Sequence, residues 1–471
     1  MYQRVDLADT IVALATPTGI GAIAVIRLSG EKAIEIVNKV FSSKNLNQVD
    51  SHTIHLGYIK DEQHRRIDQV LVSVFKTPKS YTKENVVEVS CHGSSYIQQQ
   101  LIELFLRKGA RMARRGEFTL RAFLNGQLDL SQAEAVADLI SAESASAHNL
   151  AMQQIRGGFS REIQDLRERL IHFASLIELE LDFGEEDLEF ANRQDLKNLV
   201  ETLQGFIQRL LDSFQLGNVI KHGVHTVIAG RPNAGKSTLL NALLNEERAI
   251  VSNIAGTTRD TIEAVLNIKG VQFRLIDTAG IREATDQIEA IGIKKTMEEI
   301  RRSSIVVYVY DVLHTDIPIV VADLKKLEVV APKILVIANK IDRISPLPKN
   351  KGLKKSWLSL IKPYREKYPF IYLSAKEKRA IEPLKLALYS TVLRTDFNME
   401  NTIVSNSRHY EVLQKAQSSL TAVSTGLARG ITGDFLAMDI RHALLALGEI
   451  TGAISTDDLL DNIFHNFCIG K

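Results

Sequence analysis

Gly230-Arg231-Pro232-Asn233-Ala234-Gly235-Lys236-Ser237 fits the pattern G-x-x-x-x-G-K-[ST], a spacing that wraps backbone N–H groups around phosphate oxygens. Gly235 lets the main chain approach the phosphates, Lys236 reaches the β- and γ-phosphates, and Ser237 can ligate Mg²⁺. Asp277-Thr278-Ala279-Gly280 adds a carboxylate able to hold the water shell of that magnesium and a glycine amide able to sense the γ-phosphate. In Asn339-Lys340-Ile341-Asp342 the carboxylate of Asp342 can accept the N1–H and 2-amino hydrogens of guanine. Adenine lacks those donors and would leave the acid unpaired, the strong kind of discrimination. Ser374-Ala375-Lys376 suits further contacts to the base. In this order the segments define a GTP site, with Asn233, Ala234, Gly235, Lys236, Ser237 and Thr238 around the phosphates.

Such residues must sit at the ends of strands. Between about 222 and 395 the chain alternates apolar runs with helical segments, with strands expected at His225 to Ala229, Thr261 to Ile268, Val271 to Ile276, Ser304 to Tyr310, Lys333 to Ala338 and Phe370 to Leu373. Continuous apolar runs suit parallel strands covered on both faces, and Lys269-Gly270 reads as a hairpin turn giving one antiparallel edge. On either side the texture differs. Residues 1–122 carry short β-branched runs with one helix-like segment, Tyr96 to Lys108, which is an α+β module. Ile163, Leu166, Leu170, Phe173, Ile177 and Leu181 recur at helical spacing, and a similar texture returns from His409 to the end. Two distant helical stretches that each need a partner are most simply one helical domain, 123–221 with 396–471, interrupted by a P-loop α/β domain, 222–395.

Composition narrows the class further. The 471 residues are 45% hydrophobic and 24% charged, as in ordinary multidomain globular chains. A net charge of +2 supplies no global field for nucleic acid, so any RNA contact must be local. Cys91 and Cys468 are too few for a disulfide framework or a cysteine-only zinc site. No apolar stretch is long enough to span a bilayer, and the expected compartment is the cytoplasm.

Gly256-Thr257-Thr258-Arg259-Asp260, Asn233 in the phosphate loop and the terminal Phe467-Cys468-Ile469-Gly470-Lys471 resemble the bacterial tRNA-modification GTPases of the wobble-uridine pathway over essentially the whole chain. A Gln directly after the D-x-x-G glycine orients water in Ras-like enzymes, but here that position is Ile281. The resemblance implies instead a K⁺ ion in place of an arginine finger, held by Asn233, Ser252, Ile254 and Thr257. It implies Thr258 completing the Mg²⁺ shell with Ser237, and Glu289 orienting the water. It also implies a 5-formyl- or methylene-tetrahydrofolate bound by the N-terminal domain through Arg27, Glu88 and the C-terminal Lys471. The family often has Lys where this chain has Gln127, which removes one charge from that contact. Cys468 would serve the tRNA reaction. The partners implied are a second copy in a homodimer, an FAD-dependent enzyme completing a heterotetramer, and tRNA, with an aminomethyl-type group placed on uridine carbon 5.

Residue by residue, blander readings stay open: Asn233 as a turn residue, Glu289 as a solvated charge, Arg27 and Glu88 as surface residues, Cys468 as a buried thiol. Two rival functions share the nucleotide site, a ribosome-assembly GTPase switch and a folate-dependent small-molecule enzyme regulated by its GTPase domain. Gly19-Ile20-Gly21-Ala22-Ile23-Ala24 mimics a dinucleotide fingerprint, but a strand rather than a helix follows it. Gly430-Ile431-Thr432-Gly433 lies between helices and reads as a turn. The acidic run from Glu178 to Glu189 reads as a solvated loop and helix start, with a metal site as its alternative. The basic cluster Arg107, Lys108, Arg111, Arg114 and Arg115 reads as a solvated face, with RNA phosphate as its alternative.

Overall fold

The computed structural model describes residues 8–182, 192–244, 263–277, 297–343, 355–392, 402–465 and 467–471. The chain forms two compact units, one from Met1–Ser141, Ala151–Gln208 and Glu411–Lys471, the other from Ala142–Leu150 and Arg209–Tyr410.

The first unit opens with a six-stranded sheet of β1 (Thr10–Leu14), β2 (Ile23–Ser29), β3 (Thr53–Lys60), β4 (Arg66–Phe75), β5 (Val86–His92) and β6 (Ala110–Met112) in the order β3-β4-β5-β2-β1-β6. Only β1 and β6 pair in parallel. Alternation decides its faces. Ala24, Ile26 and Leu28 of β2, Val70, Val72 and Val74 of β4 and Val87 and Val89 of β5 turn to one side and are buried with residues of helices Ala33–Asn38 and Ser95–Arg107. On the other side, Ile11 and Ala13 lie under Phe118 of helix Glu117–Leu124. The strand β2 runs where the dinucleotide fingerprint would need a helix.

The same unit holds the helical segments. Helix Gly158–Asp182 packs on Gly433–Thr451 and fully buries Ile163, Leu170 and Ile177 at seven-residue spacing, while Leu181 near its end stays exposed. Helix Leu130–Ile140 starts with a capping box between Asp129 and Gln132, which satisfies two otherwise orphaned amides. Gly430 to Thr432 lie between helices Ser407–Arg429 and Gly433–Thr451, a helix-to-helix turn as expected. Among the described residues no helix is long and apolar enough to cross a membrane.

The basic cluster resolves unevenly. Arg111 bonds Glu117 Oε1 and Asp9 Oδ2, both at 2.6 Å, and Lys108 bonds Glu62 at 2.9 Å. Arg121 is completely buried, with Asp9, Glu84 and Glu117 around its guanidinium. Burial alone would raise the Glu117 carboxyl, yet Arg111 and the Arg114 amide outweigh it and hold the group below the usual range.

The second unit is the strand–helix alternation. Strands β7 (Val224–Ala229), β8 (Glu263–Ile268), β9 (Val271–Asp277), β10 (Ile305–Asp311), β11 (Ile334–Asn339) and β12 (Phe370–Tyr372) are ordered β12-β11-β10-β7-β9-β8. All pairs are parallel except the β8–β9 hairpin at the edge. Alternate residues of β10, such as Val307 and Val309 against Val306 and Tyr308, enter separate cores on the two faces. That is why the strand reads as one uninterrupted apolar run.

Candidate guanine-nucleotide site

In an open parallel sheet the ligand crevice lies beyond the carboxyl ends of the strands, where the connections reverse direction. Here β7 has β9 on one side and β10 on the other. From β7 the chain runs through Gly230 to Gly235 into helix Lys236–Leu244, so the helix N-terminus faces the loop. Gly235 has φ +93°, and a Cβ there would lie 2.3 Å from Asn339 Nδ2. Only glycine fits that approach. Asn233 also takes a left-handed conformation, φ +60°, which Asn tolerates better than most residues.

The base-reading segment is tied to this loop. Asn339 Nδ2 donates to Ala234 O at 2.9 Å, while its Oδ1 accepts from the amides of Lys340 at 2.8 Å and Ala375 at 3.0 Å. One buried side chain thus fixes three loops. Lys340 Nζ donates to Asn233 O at 2.6 Å, and Ser374 Oγ donates to Asp342 Oδ1 at 2.6 Å. That hydroxyl holds the Asp342 carboxyl below the ordinary carboxylate range, so it stays ionised as a guanine acceptor must. Gly235, Thr238, Asn339, Lys340, Asp342, Arg343, Ala375 and Lys376 line one pocket of about 190 Å³.

Lys236 Nζ donates to Gly230 O at 3.0 Å and Arg231 O at 3.1 Å, which places the ammonium across the mouth of the loop. Ser237 follows it in the first turn of the helix. Asp277 ends β9 and its neighbour in register is Ile228 of β7, so the two strands finish at the same level. Ser252, Ile254, Thr257, Thr258, Thr278, Ala279, Gly280, Ile281 and Glu289 lie outside the described residues.

Several residues of the site go unmarked by motif reading. Arg231 donates to Asp323 from Nε at 2.9 Å and from its terminal nitrogen at 3.2 Å. Tyr308 OH donates to the same carboxylate at 2.8 Å. Burial and Asp323 push the Tyr308 phenol up, so it remains a donor. Asp311, the last residue of β10, accepts from Lys340 Nζ at 2.8 Å and from the Leu313 amide at 2.9 Å, with His314 Nδ1 at 3.0 Å. The available signal was an acidic residue closing an apolar strand run.

Far along the chain, in the first unit, Arg27 Nε donates to Glu88 Oε1 at 2.8 Å, the two facing each other in the β2–β5 register. The Arg27 guanidinium also reaches Gly470 O at 3.4 Å and stands 5.7 Å from the ring centres of both Tyr81 and Phe118. Residues 467–471 therefore return to the N-terminal sheet, where Ile469 bridges Arg115 and the Gly116 amide donates to Cys468 O at 3.3 Å. A Cβ on Gly470 would fall 2.3 Å from Leu14 O. Cys468 is exposed, whereas Cys91 is buried, with burial pushing its thiol up to about 11. Gln127 is exposed in the turn after helix Glu117–Leu124, where its amide donates to Ala122 O at 2.8 Å. His92 pairs with Asp68 at 2.7 Å, and among the described residues no cluster of His, Cys, Asp or Glu could hold a metal ion.

A parallel sheet with a phosphate loop after β7 and a guanine-type pocket between the ends of β11 and β12 defines a P-loop GTP hydrolase. Family models refine that class: one for the GTP-binding protein TrmE N-terminus matches residues 10–127, and one for the MnmE helical domain matches residues 130–468. The chain is similar to the tRNA modification GTPase MnmE of Cytophaga hutchinsonii, 56% identical over 98% of each chain. Against that of Christiangramia forsetii it is 56% identical over 99% of this chain and 100% of that one. The chain belongs to the MnmE family of tRNA modification GTPases. Among solved structures it is similar to the G domain of the T. maritima FeoB iron transporter, 22% identical, covering 36% of this chain and 98% of that one, TM-score 0.27.

Proposed function

We propose that the chain hydrolyses GTP on the Gly230–Ser237 loop to drive a conformational change while a carboxymethylaminomethyl-type group is added to carbon 5 of uridine 34 in certain tRNAs. The observation that carries the nucleotide part is Asn339, whose amide joins the phosphate loop at Ala234 to the base loop at Ala375. The tRNA part rests on family membership. In this reading the domains are 1–122 for folate binding and dimerisation, 123–221 with 396–471 for the helical part, and 222–395 for the inserted GTPase. The protein works in the cytoplasm.

The donor set at the loop suits Mg²⁺, because the Ser237 hydroxyl is a hard oxygen donor in the first turn of the helix that follows the phosphate loop. Ser237 and Thr258 would hold the ion and Asp277 its water shell. When bound it neutralises charge between the β- and γ-phosphates. Lys236 leaves the Gly230 and Arg231 carbonyls for the phosphates, the loop amides bind their oxygens, and Asp342 takes the guanine edge. Asn233, with Ser252, Ile254 and Thr257, would hold K⁺, and Glu289 orients the attacking water.

Arg27, Glu88 and the tail at Gly470 form the folate reading's donor and acceptor set. A guanidinium and a carboxylate side by side match the pterin and glutamate groups of a tetrahydrofolate, and Lys471 adds a further cation. Gln127, where the family often has Lys, would add an uncharged contact. Homodimerisation is supported by the sheet face beside Arg27, where Ile23, Ile54, Leu56 and Leu71 are exposed. The FAD-dependent partner would complete a heterotetramer, with Cys468 serving the tRNA reaction. Mass spectrometry of tRNA nucleosides from a strain lacking the protein tests this function. Loss of the modified wobble uridine is expected, and an unchanged nucleoside profile contradicts it.

A further inference from the structure

Asp311 lies at the centre of the base loop's attachment to the phosphate loop. Its side chain is 8% exposed and accepts from Lys340 Nζ at 2.8 Å. The same ammonium donates to Asn233 O at 2.6 Å, at the one non-glycine residue of the loop with positive φ. A lysine stem has several rotatable bonds and would otherwise sample many positions, so a fixed carboxylate at the end of β10 restricts it to one. Burial works against the charge on Asp311, but Lys340, the Leu313 amide and His314 outweigh it and hold the carboxyl at about 2. The acid is anchored by its own strand, since β10 is hydrogen-bonded on both sides and Asp311 pairs in register with Asn339.

We propose that Asp311 is a positioning residue of the nucleotide site: it holds the Lys340 ammonium on the carbonyl of Asn233, and so fixes the phosphate loop in its nucleotide-binding conformation. The proposal rests on the guanine-nucleotide reading of the site. It assigns Asp311 no contact with the base, so its loss acts on how long a nucleotide stays bound and leaves the choice of base alone.

The test is a double-mutant cycle on the full chain, with dissociation of a fluorescent GDP as the readout. Asp311→Ala and Lys340→Met are each expected to speed dissociation about tenfold, the scale of a hydrogen bond to a charged group. The double variant should release GDP no faster than Lys340→Met alone, because both changes break one linkage. Asp311→Asn keeps an acceptor without the charge and should fall between wild type and Asp311→Ala. It carries the cycle should Asp311→Ala lack a cooperative thermal transition. The preference for GDP over xanthosine diphosphate should stay at the wild-type ratio. Wild-type dissociation rates in the Asp311 variants, multiplying effects in the double variant, or an altered base preference would each overturn the proposal. A wild-type chain that binds no guanine nucleotide overturns the site and the proposal together, which separates the two failures.

Discussion

The two candidate sites are built on opposite principles. The nucleotide site of the second unit gathers the loops at the carboxyl ends of parallel strands, and each loop is one short contiguous motif. The Arg27–Glu88 site of the first unit lies on the flat of an antiparallel sheet and draws on residues 27, 88 and 470. Strand ends concentrate function in runs of sequence, whereas a sheet face scatters it at every second residue of several strands. The first kind holds its parts through main-chain and amide contacts such as those of Asn339, the second through one ion pair between side chains.

That contrast can be broken or sharpened by substitution. Asp342→Asn should weaken GTP binding by roughly a hundred- to thousandfold and favour xanthosine triphosphate, because the base edge loses its ionic acceptor. Competition titration with the two nucleotides checks it. Glu289→Ala should lower turnover by about a hundredfold or more with nucleotide affinity kept, and exchange of K⁺ for Na⁺ should slow hydrolysis in the wild type. Single-turnover assays beside equilibrium binding separate the two effects.

At the sheet face the effects are smaller. Arg27→Ala should weaken binding of a reduced folate and cost about 2 kcal/mol of stability, since Glu88 loses a charge-assisted bond beside the tail. Isothermal titration with 5-formyl-tetrahydrofolate and chemical denaturation read the two losses. The smallest effect concerns acid. The folded Asp311 carboxyl lies below its usual value, so the stability it contributes is complete above about pH 4 and fades as pH falls toward about 2. The difference in melting temperature between wild type and Asp311→Asn should therefore be flat from neutrality down to about pH 4 and shrink below it.

The same contrast explains what was legible in the sequence. Strands β10 and β11 show as uninterrupted apolar runs because both of their faces are covered, whereas β9 alternates through Gln272 and Arg274, and the nucleotide motifs follow directly from the strand ends. Asp311 escaped notice because the apolar run stops at Tyr310 and its partner Lys340 is a whole crossover away. Strand β3 gives no clear signal because its alternation is inverted. Thr53, His55 and Gly57 face inward, with Gly57 beneath Phe41, while Ile54 and Leu56 stand exposed. Arg111 looks like part of a solvated basic run until Glu117 and Asp9 are placed beside it, and Arg121 gives no sign in sequence that it is buried. The approach of Gly470 to Arg27 spans nearly the full chain, so spacing alone could not reveal it.

The central claim is that the loops after β7, β11 and β12 form a single pocket selective for guanine. Calorimetric titration of the purified chain with GTP and ATP, under identical magnesium and potassium, tests it most directly. The account predicts saturable one-site binding of GTP with ATP bound at least about a thousandfold more weakly. Equal affinity for the two nucleotides, or no heat with GTP, would contradict it.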